Sequence, residues 1–293
     1  MFIIKYRKIF FGISIAVVFS ALAAVAVYGL HFGIEFTGGE IIEAKYATLP
    51  EKTAVSSALE KVEIGAFSLR EANGDAYILR TKSLSEQKRK EVFAALGGEI
   101  TRFNSVGPTI GQELRRKAGA AIALVVIAII LFIAFVFRHV SRPVSSWKYG
   151  WIAIVALLHD IIVPVGLFAV LGHFFGAEVD VLFVMAVLAI LGYSVNDTIV
   201  VFDRVREHLN HNARRHKKED FDKTVGKSLN ETFMRSINTS FTTLLVLLAL
   251  YFVGPKATHY FALVLIAGVI AGTYSSLFLA TPLLTVVKKM EDA

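Results

Sequence analysis

The chain has 293 residues, 55% of them apolar and 19% charged, with a mean hydropathy of +0.60 and a net charge of +7; a soluble domain runs at roughly 45–50% apolar and about 25% charged. That balance excludes a soluble globular protein and general disorder, and it leaves room for a handful of spans at roughly 20 residues each plus one modest extramembrane unit. The absence of cysteine rules out disulfides, thiol catalysis and Cys-type zinc sites.

Six apolar runs reach the length needed to cross about 30 Å of hydrocarbon: 9–30, 118–137, 149–172, 181–202, 233–253 and 260–287. The first follows Lys5, Arg7 and Lys8, which place the N-terminus inside by the positive-inside rule. Its Ala21-Leu22-Ala23 and Ala24-Val25-Ala26 patterns resemble a signal-peptide cleavage site, but the apolar run continues to Leu30, which favours a retained anchor.

Residues 38–113 are the stretch polar enough to fold in water. Turn signals divide it into a strand over Glu40–Ala47, a helix over Glu51–Val62, strands over Ala66–Ala72 and Ala76–Thr81 joined at Asn73-Gly74-Asp75, a helix over Ser85–Leu96 and a strand over Glu99–Val106. The order βαββαβ is a ferredoxin-like pattern. Lys88, Arg89 and Lys90 read as the solvated face of the second helix, with contact to an acidic partner as the alternative.

The remaining spans carry the basic residues on one side. Arg138, Arg142 and Lys148 follow the second span; Arg204, Arg206, Arg214, Arg215, Lys217, Lys218, Lys223 and Lys227 follow the fourth; Lys288 and Lys289 follow the sixth. All are cytoplasmic in one threading, so the positive charge is spent on topology rather than on nucleic acid. Arg115, Arg116 and Lys117 fall outside, at the end of a loop long enough to be exempt from the rule.

Ionisable groups inside a membrane are costly and therefore point to function. Asp160, beside His159, falls roughly 17 Å into the third span, with Pro164 four residues on to loosen that helix. Asp197, beside Asn196, lies toward the inner end of the fourth. On the fifth, Arg235, Asn238, Thr239, Thr242 and Thr243 recur on one helical face, which a lipid-facing helix would not carry. Competing readings are a snorkelling anchor for Arg235, permanently paired structural acids for Asp160 and Asp197, and a satisfied interior histidine for His159. Gly268, Gly272 and Ser276, with Ala267, Ala271 and Ser275 alongside, read as helix-packing residues. At the tethers of the outer domain, Gly38, Gly39, Gly107 and Pro108 read as hinge residues, against a reading as ordinary turns.

The motifs GIEFTGG at 33–39, SVGPTIG at 105–111, LHD at 158–160, GYSVNDTIVVFDRVRE at 192–207, SLNET at 228–232 and RSINTS at 235–240 resemble, in order and spacing, the SecF subunits of the bacterial Sec translocase, in the SecD/SecF family. The chain departs at Glu35, where the family usually shows Asp, and in a longer, more basic loop from His208 to Asp222. The resemblance implies an α-helical multi-pass membrane protein: six transmembrane helices, half of an RND-type bundle, with one small α+β ferredoxin-like periplasmic domain. The expected division is a first helix at 1–30 with a cytoplasmic N-terminus, a periplasmic domain with tethers at 31–117, and a five-helix bundle at 118–293 with a basic cytoplasmic loop 203–232 and a cytoplasmic C-terminus.

The resemblance further implies an accessory protein of the inner membrane that pairs with SecD and assists preprotein translocation outside the SecYEG channel, using the proton gradient. Its partners are then SecD, SecYEG, unfolded preprotein, membrane lipids and protons; no cofactor, metal or nucleic acid is called for, and no enzyme activity. Carried over by position, Asp197 and Arg235 form a proton relay at the subunit interface, joined by Asp160 and supported by Asn196, Asn238 and Thr239. Protonating Asp197 would release Arg235 and let the bundle repack. The alternatives are a proton-driven RND-type exporter of small molecules or lipids, disfavoured by the single compact outer domain; an intramembrane protease, whose motifs are absent; and a purely structural scaffold.

Overall fold

Each long apolar run forms a helix, because hydrocarbon offers no partner to a backbone N–H or C=O and the helix satisfies both within the segment. The computed structural model describes residues 2–72, 74–136, 146–216 and 219–292. Six helical segments among them are long and apolar enough to span a membrane: Arg7–Tyr28, Pro108–Val136, Trp147–Phe175, Val181–Arg214, Phe221–Val253 and Lys256–Lys289. The chain divides into two units, Met1–His31 with Ala121–Ala293, and Phe32–Ala120. Asn73 of the expected hairpin turn and Arg138, Arg142, Lys217 and Lys218 of the expected basic loops lie outside the described residues.

In the larger unit the third, fourth and sixth spans are the most buried. Small residues allow their backbones to approach. A side chain on Gly166 would collide with Ala21 of the first span, one on Gly268 with Ile190 of the fourth, and one on Gly272 would press on Ser194 Cβ at 3.1 Å. The packing expectation for Gly268 and Gly272 therefore holds, but Ser275 and Ser276 do more than pack. They open a π-helical stretch, Ser275–Ala280, that interrupts the sixth span between His259–Tyr274 and Thr281–Asp292. Such widened turns concentrate at functional sites.

The expected loop 203–232 is mostly helix. The fourth span continues to Arg214 and the fifth begins at Phe221, capped by Asp220. Charges end an apolar run without ending a helix, since residues three and four apart pair along its face. Arg206 pairs with Asp203 at 2.7 Å, Arg204 with Glu207, and Arg204 and His208 reach across to Glu231 of the fifth span at 2.5 and 2.9 Å. Nearby, Asp222 accepts from Arg7 at 3.2 Å and from Lys289 at 2.9 Å, tying the ends of the first, fifth and sixth spans.

The smaller unit has strands β1 Gly39–Lys45, β2 Phe67–Ala72, β3 Ala76–Thr81 and β4 Glu99–Val106, with helices Lys52–Glu60 and Glu86–Leu96. They form one antiparallel sheet in the order β2-β3-β1-β4. Alternation along the strands sends Ile42, Ala44, Leu69, Tyr77 and Leu79 to one face, against Val55, Leu59, Val92 and Leu96 of the helices. Ser85 caps the second helix through Lys88 N, and Gly97 ends it in the left-handed region.

Glu40 is fully buried and accepts from Arg89 at 2.6 and 3.1 Å and from Leu84 N at 3.2 Å. These bonds push the Arg89 guanidinium above its ordinary range. Lys88 donates to Val62 O at 2.7 Å and Lys90 pairs with Glu86 at 3.4 Å, so the basic stretch 88–90 is engaged within the unit. Gly38 and Gly39 have φ of +73° and +138°, and a Cβ on them would stand 2.8 Å from Pro108 Cα and 2.5 Å from Thr81 O. Their packing is close, whereas Gly107 faces open space and Pro108 opens the second span's helix.

Candidate functional site

The polar residues of the larger unit converge in the middle of its helices. Asp160 has no exposed surface. Its Oδ2 accepts hydrogen bonds from Ser194 Oγ of the fourth span and from Ser275 Oγ of the sixth, the latter at 2.7 Å, while Oδ1 lies 2.9 Å from His159 Nδ1. No Lys or Arg pairs with Asp160 among the described residues. Pro164, inside the same helix, lacks the N–H that would bond the Asp160 carbonyl. An Asp at mid-span costs about 2.5–3.5 kcal/mol on insertion scales; two hydroxyl bonds to a charged group, at about 1.5–3 kcal/mol each, offset that cost.

Asp197 is also buried, but differently. Its Oδ2 and Ser236 Oγ of the fifth span lie within reach of one another, but neither completes a hydrogen bond among the described residues. Around the two acids run further hydroxyl contacts: Thr198 with Ser276 at 2.8 Å, and Tyr193 with Ser240 at 3.1 Å.

The expected pairing of Asp197 with Arg235 is not formed. Arg235 is exposed and makes no ion pair among the described residues, although it lies within electrostatic reach of Asp197. Consecutive helical residues point about 100° apart, so when Ser236 faces Asp197, Arg235 turns outward. Asn196, Asn238 and Thr239 are exposed as well. Thr239, Thr242 and Thr243 bond their own helix's carbonyls at 2.9–3.0 Å, leaving Arg235 and Asn238 as the groups that a lipid environment would strand.

The fifth span carries a second polar row that sequence reasoning passed over: Ser228, Thr232, Ser236 and Ser240, four residues apart and all buried. Their spacing was the available signal. Ser194 and Ser275 carried none, because hydroxyls are ordinary in membrane helices and these two meet only through Asp160.

The family described as protein export membrane protein SecD/SecF, C-terminal, matches residues 86–290. The chain belongs to the SecD/SecF family. Among relatives of this family, the protein translocase subunit SecF of Thermobaculum terrenum is 38% identical, the match covering 96% of this chain and 92% of that protein. The subunit of Anaerolinea thermophila is 35% identical over 97% and 93%. A crystal structure of SecDF, a translocon-associated membrane protein from Thermus thermophilus, superposes with a TM-score of 0.82 at 29% identity, covering 98% of this chain and 38% of that one. The SecDF super-membrane-facing form gives 0.66 at 28% identity, with 99% and 38% covered. The chain thus spans little more than a third of the SecDF polypeptides it resembles, and nearly the whole of the SecF subunits.

Proposed function

We propose that the chain is a SecF-type subunit of a Sec translocase in the bacterial inner membrane. In this reading it pairs with SecD beside SecYEG and uses the proton gradient to help an unfolded preprotein across. Both termini are cytoplasmic and the smaller unit is periplasmic, as the basic residues at the ends of the spans favour. The observation that carries the reading is the combination at the fourth and fifth spans: a buried carboxylate with an unbonded oxygen, next to an outward Arg235 and Asn238 that lipid cannot satisfy. A partner subunit supplies the contacts that Arg235 and Asn238 lack.

Asp197 then exchanges a proton at that interface, Asp160 serves as a second acid behind it, and Arg235 answers the change in charge by changing partners. Asn196 on the fourth span and Asn238 and Thr239 on the fifth, all exposed, support the relay at that interface. Motion passes to the periplasmic unit through the tethers at Gly38, Gly39, Gly107 and Pro108. A membrane potential supplies about 2.3 kcal/mol per charge per 100 mV, more than the 1.4 kcal/mol that shifts a two-state ratio tenfold, so one proton suffices to bias the switch. The test is co-reconstitution with SecD and SecYEG in vesicles under an imposed gradient. Gradient-dependent export is expected to fall to the ungraded level in Asp197→Asn and Arg235→Met; export at wild-type rates in both overturns the reading.

A further inference from the structure

Between the first and third spans lies a groove of about 410 Å³ that the relay above does not use. Ile15, Phe19 and Leu22 of the first span and Val155 and Leu158 of the third form its walls, and each is between 43% and 72% exposed, so the groove opens on the surface of the bundle. Its two polar residues, Ser14 and His159, keep their polar atoms buried beneath the wall, Ser14 Oγ within reach of the Tyr274 hydroxyl and His159 Nδ1 on Asp160. The lining is therefore hydrocarbon almost throughout. Water has nothing to bond there, and an apolar occupant does.

Charge stands at one end of the same faces. Lys8, Ile15, Phe19 and Leu22 follow one another at seven, four and three residues, which makes them one stripe of the first span. At 1.5 Å per residue, Ser14 to Leu22 lie roughly 9 to 21 Å beyond Lys8, so the groove runs from near the membrane surface to about the middle of a core roughly 30 Å thick. On the third span Trp151 continues the row of Val155 and Leu158, and Trp147 and Trp151 are 69% and 63% exposed, the placement of rings that sit at headgroup level. Lys5 and Lys8 line a cleft of about 770 Å³ at this end, beside Tyr6. Both lysines are exposed and neither makes an ion pair among the described residues, whereas Arg7 between them is spent on Asp222 and Thr285.

We propose that this groove seats one acyl chain of an anionic phospholipid whose phosphate lies against Lys5 and Lys8. In the orientation proposed above, the lipid belongs to the inner leaflet. Topology by itself accounts for two lysines, and any hydrocarbon wets an apolar groove; a charge and an apolar stripe on one helical face, set apart by the reach of an acyl chain, fit a single molecule that carries both. Charge complementarity selects the headgroup. Phosphatidylethanolamine would bring its own ammonium to two unpaired lysines, whereas phosphatidylglycerol brings a net negative charge. The face assigned to SecD lies on the fourth and fifth spans, which leaves the first and third to lipid.

The test uses the chain with SecD and the chain alone, each stripped of lipid, with native mass spectrometry following the uptake of added phosphatidylglycerol or phosphatidylethanolamine. One phosphatidylglycerol is expected to bind at least about tenfold more tightly than phosphatidylethanolamine, and Lys5→Gln with Lys8→Gln is expected to weaken that one by at least about tenfold. Leu158→Trp on one wall and Leu22→Trp on the other fill the groove at positions about half exposed, where the fold tolerates bulk. Each is expected to weaken the same lipid at least about tenfold, which a diffuse attraction to basic residues would not produce. Wild-type binding in both tryptophan variants, equal binding of the two lipids, or displacement by millimolar inorganic phosphate overturns the site. Binding to the chain alone that is lost with SecD overturns it too, since the groove would then belong to a SecD helix. None of these outcomes depends on proton-driven export.

Discussion

At the scale of single residues, Asp160 and Asp197 differ in how many donors they have. Ser275→Ala removes one of two hydroxyls from the fully buried Asp160 and should cost about 1.5–3 kcal/mol, the range for bonds to a charged acceptor. Ser276→Ala removes only a hydroxyl contact with Thr198 and should cost about 1 kcal/mol. Thermal unfolding in detergent separates the two, and equal losses would mean that the Ser275 bond to Asp160 is worth no more than an ordinary hydroxyl contact. Glycines of the outer unit divide in the same way. Gly39→Ala forces a side chain into φ +138° against Thr81 O and should destabilise by more than about 1 kcal/mol, whereas Gly107→Ala meets open space and should stay within about 0.5 kcal/mol. The glycines were visible in the sequence as special positions. Which of them is pressed against a neighbour was not, because the neighbours, Thr81 and Pro108, lie far along the chain.

Helices in this protein outrun their apolar cores. The fourth and fifth spans continue past the expected boundary on ion pairs, with Glu231 the shared acceptor for Arg204 and His208. These side chains are about one-third exposed or less, so Glu231→Ala should cost no more than about 1 kcal/mol, and the loss should shrink in high salt. Hydrogen exchange over 207–214 is the measurement, with faster exchange in the variant at low salt as the expected outcome. Deeper in the membrane, Gly268→Leu must displace Ile190 and should lower stability by about 1–3 kcal/mol or more, the usual cost of overpacking. Two polar rows on the fifth span show how far periodicity carries. It found the 235, 238, 239, 242 and 243 row and missed the equally periodic 228, 232, 236 and 240 row, which contact with the fourth and sixth spans makes the buried one.

For the molecule as a whole, the exposed Arg235 and Asn238 leave a face that a solitary subunit in lipid has no means of satisfying. Arg235→Leu with Asn238→Leu should leave the melting temperature of the isolated chain in detergent unchanged or raised, yet abolish co-purification with SecD; retained co-purification would place the partner on another face. Six spans, the βαββαβ order and the presence of two intramembrane acids followed from the sequence alone. They depend on local composition and on periods of two and 3.6 residues, which neighbouring positions supply by themselves. The hydroxyl cage around Asp160, the unbonded oxygen of Asp197 and the outward turn of Arg235 were decided only by tertiary structure. Each depends on helices more than thirty residues apart meeting at one depth, and a hydrogen bond across that gap leaves no periodic trace in the chain.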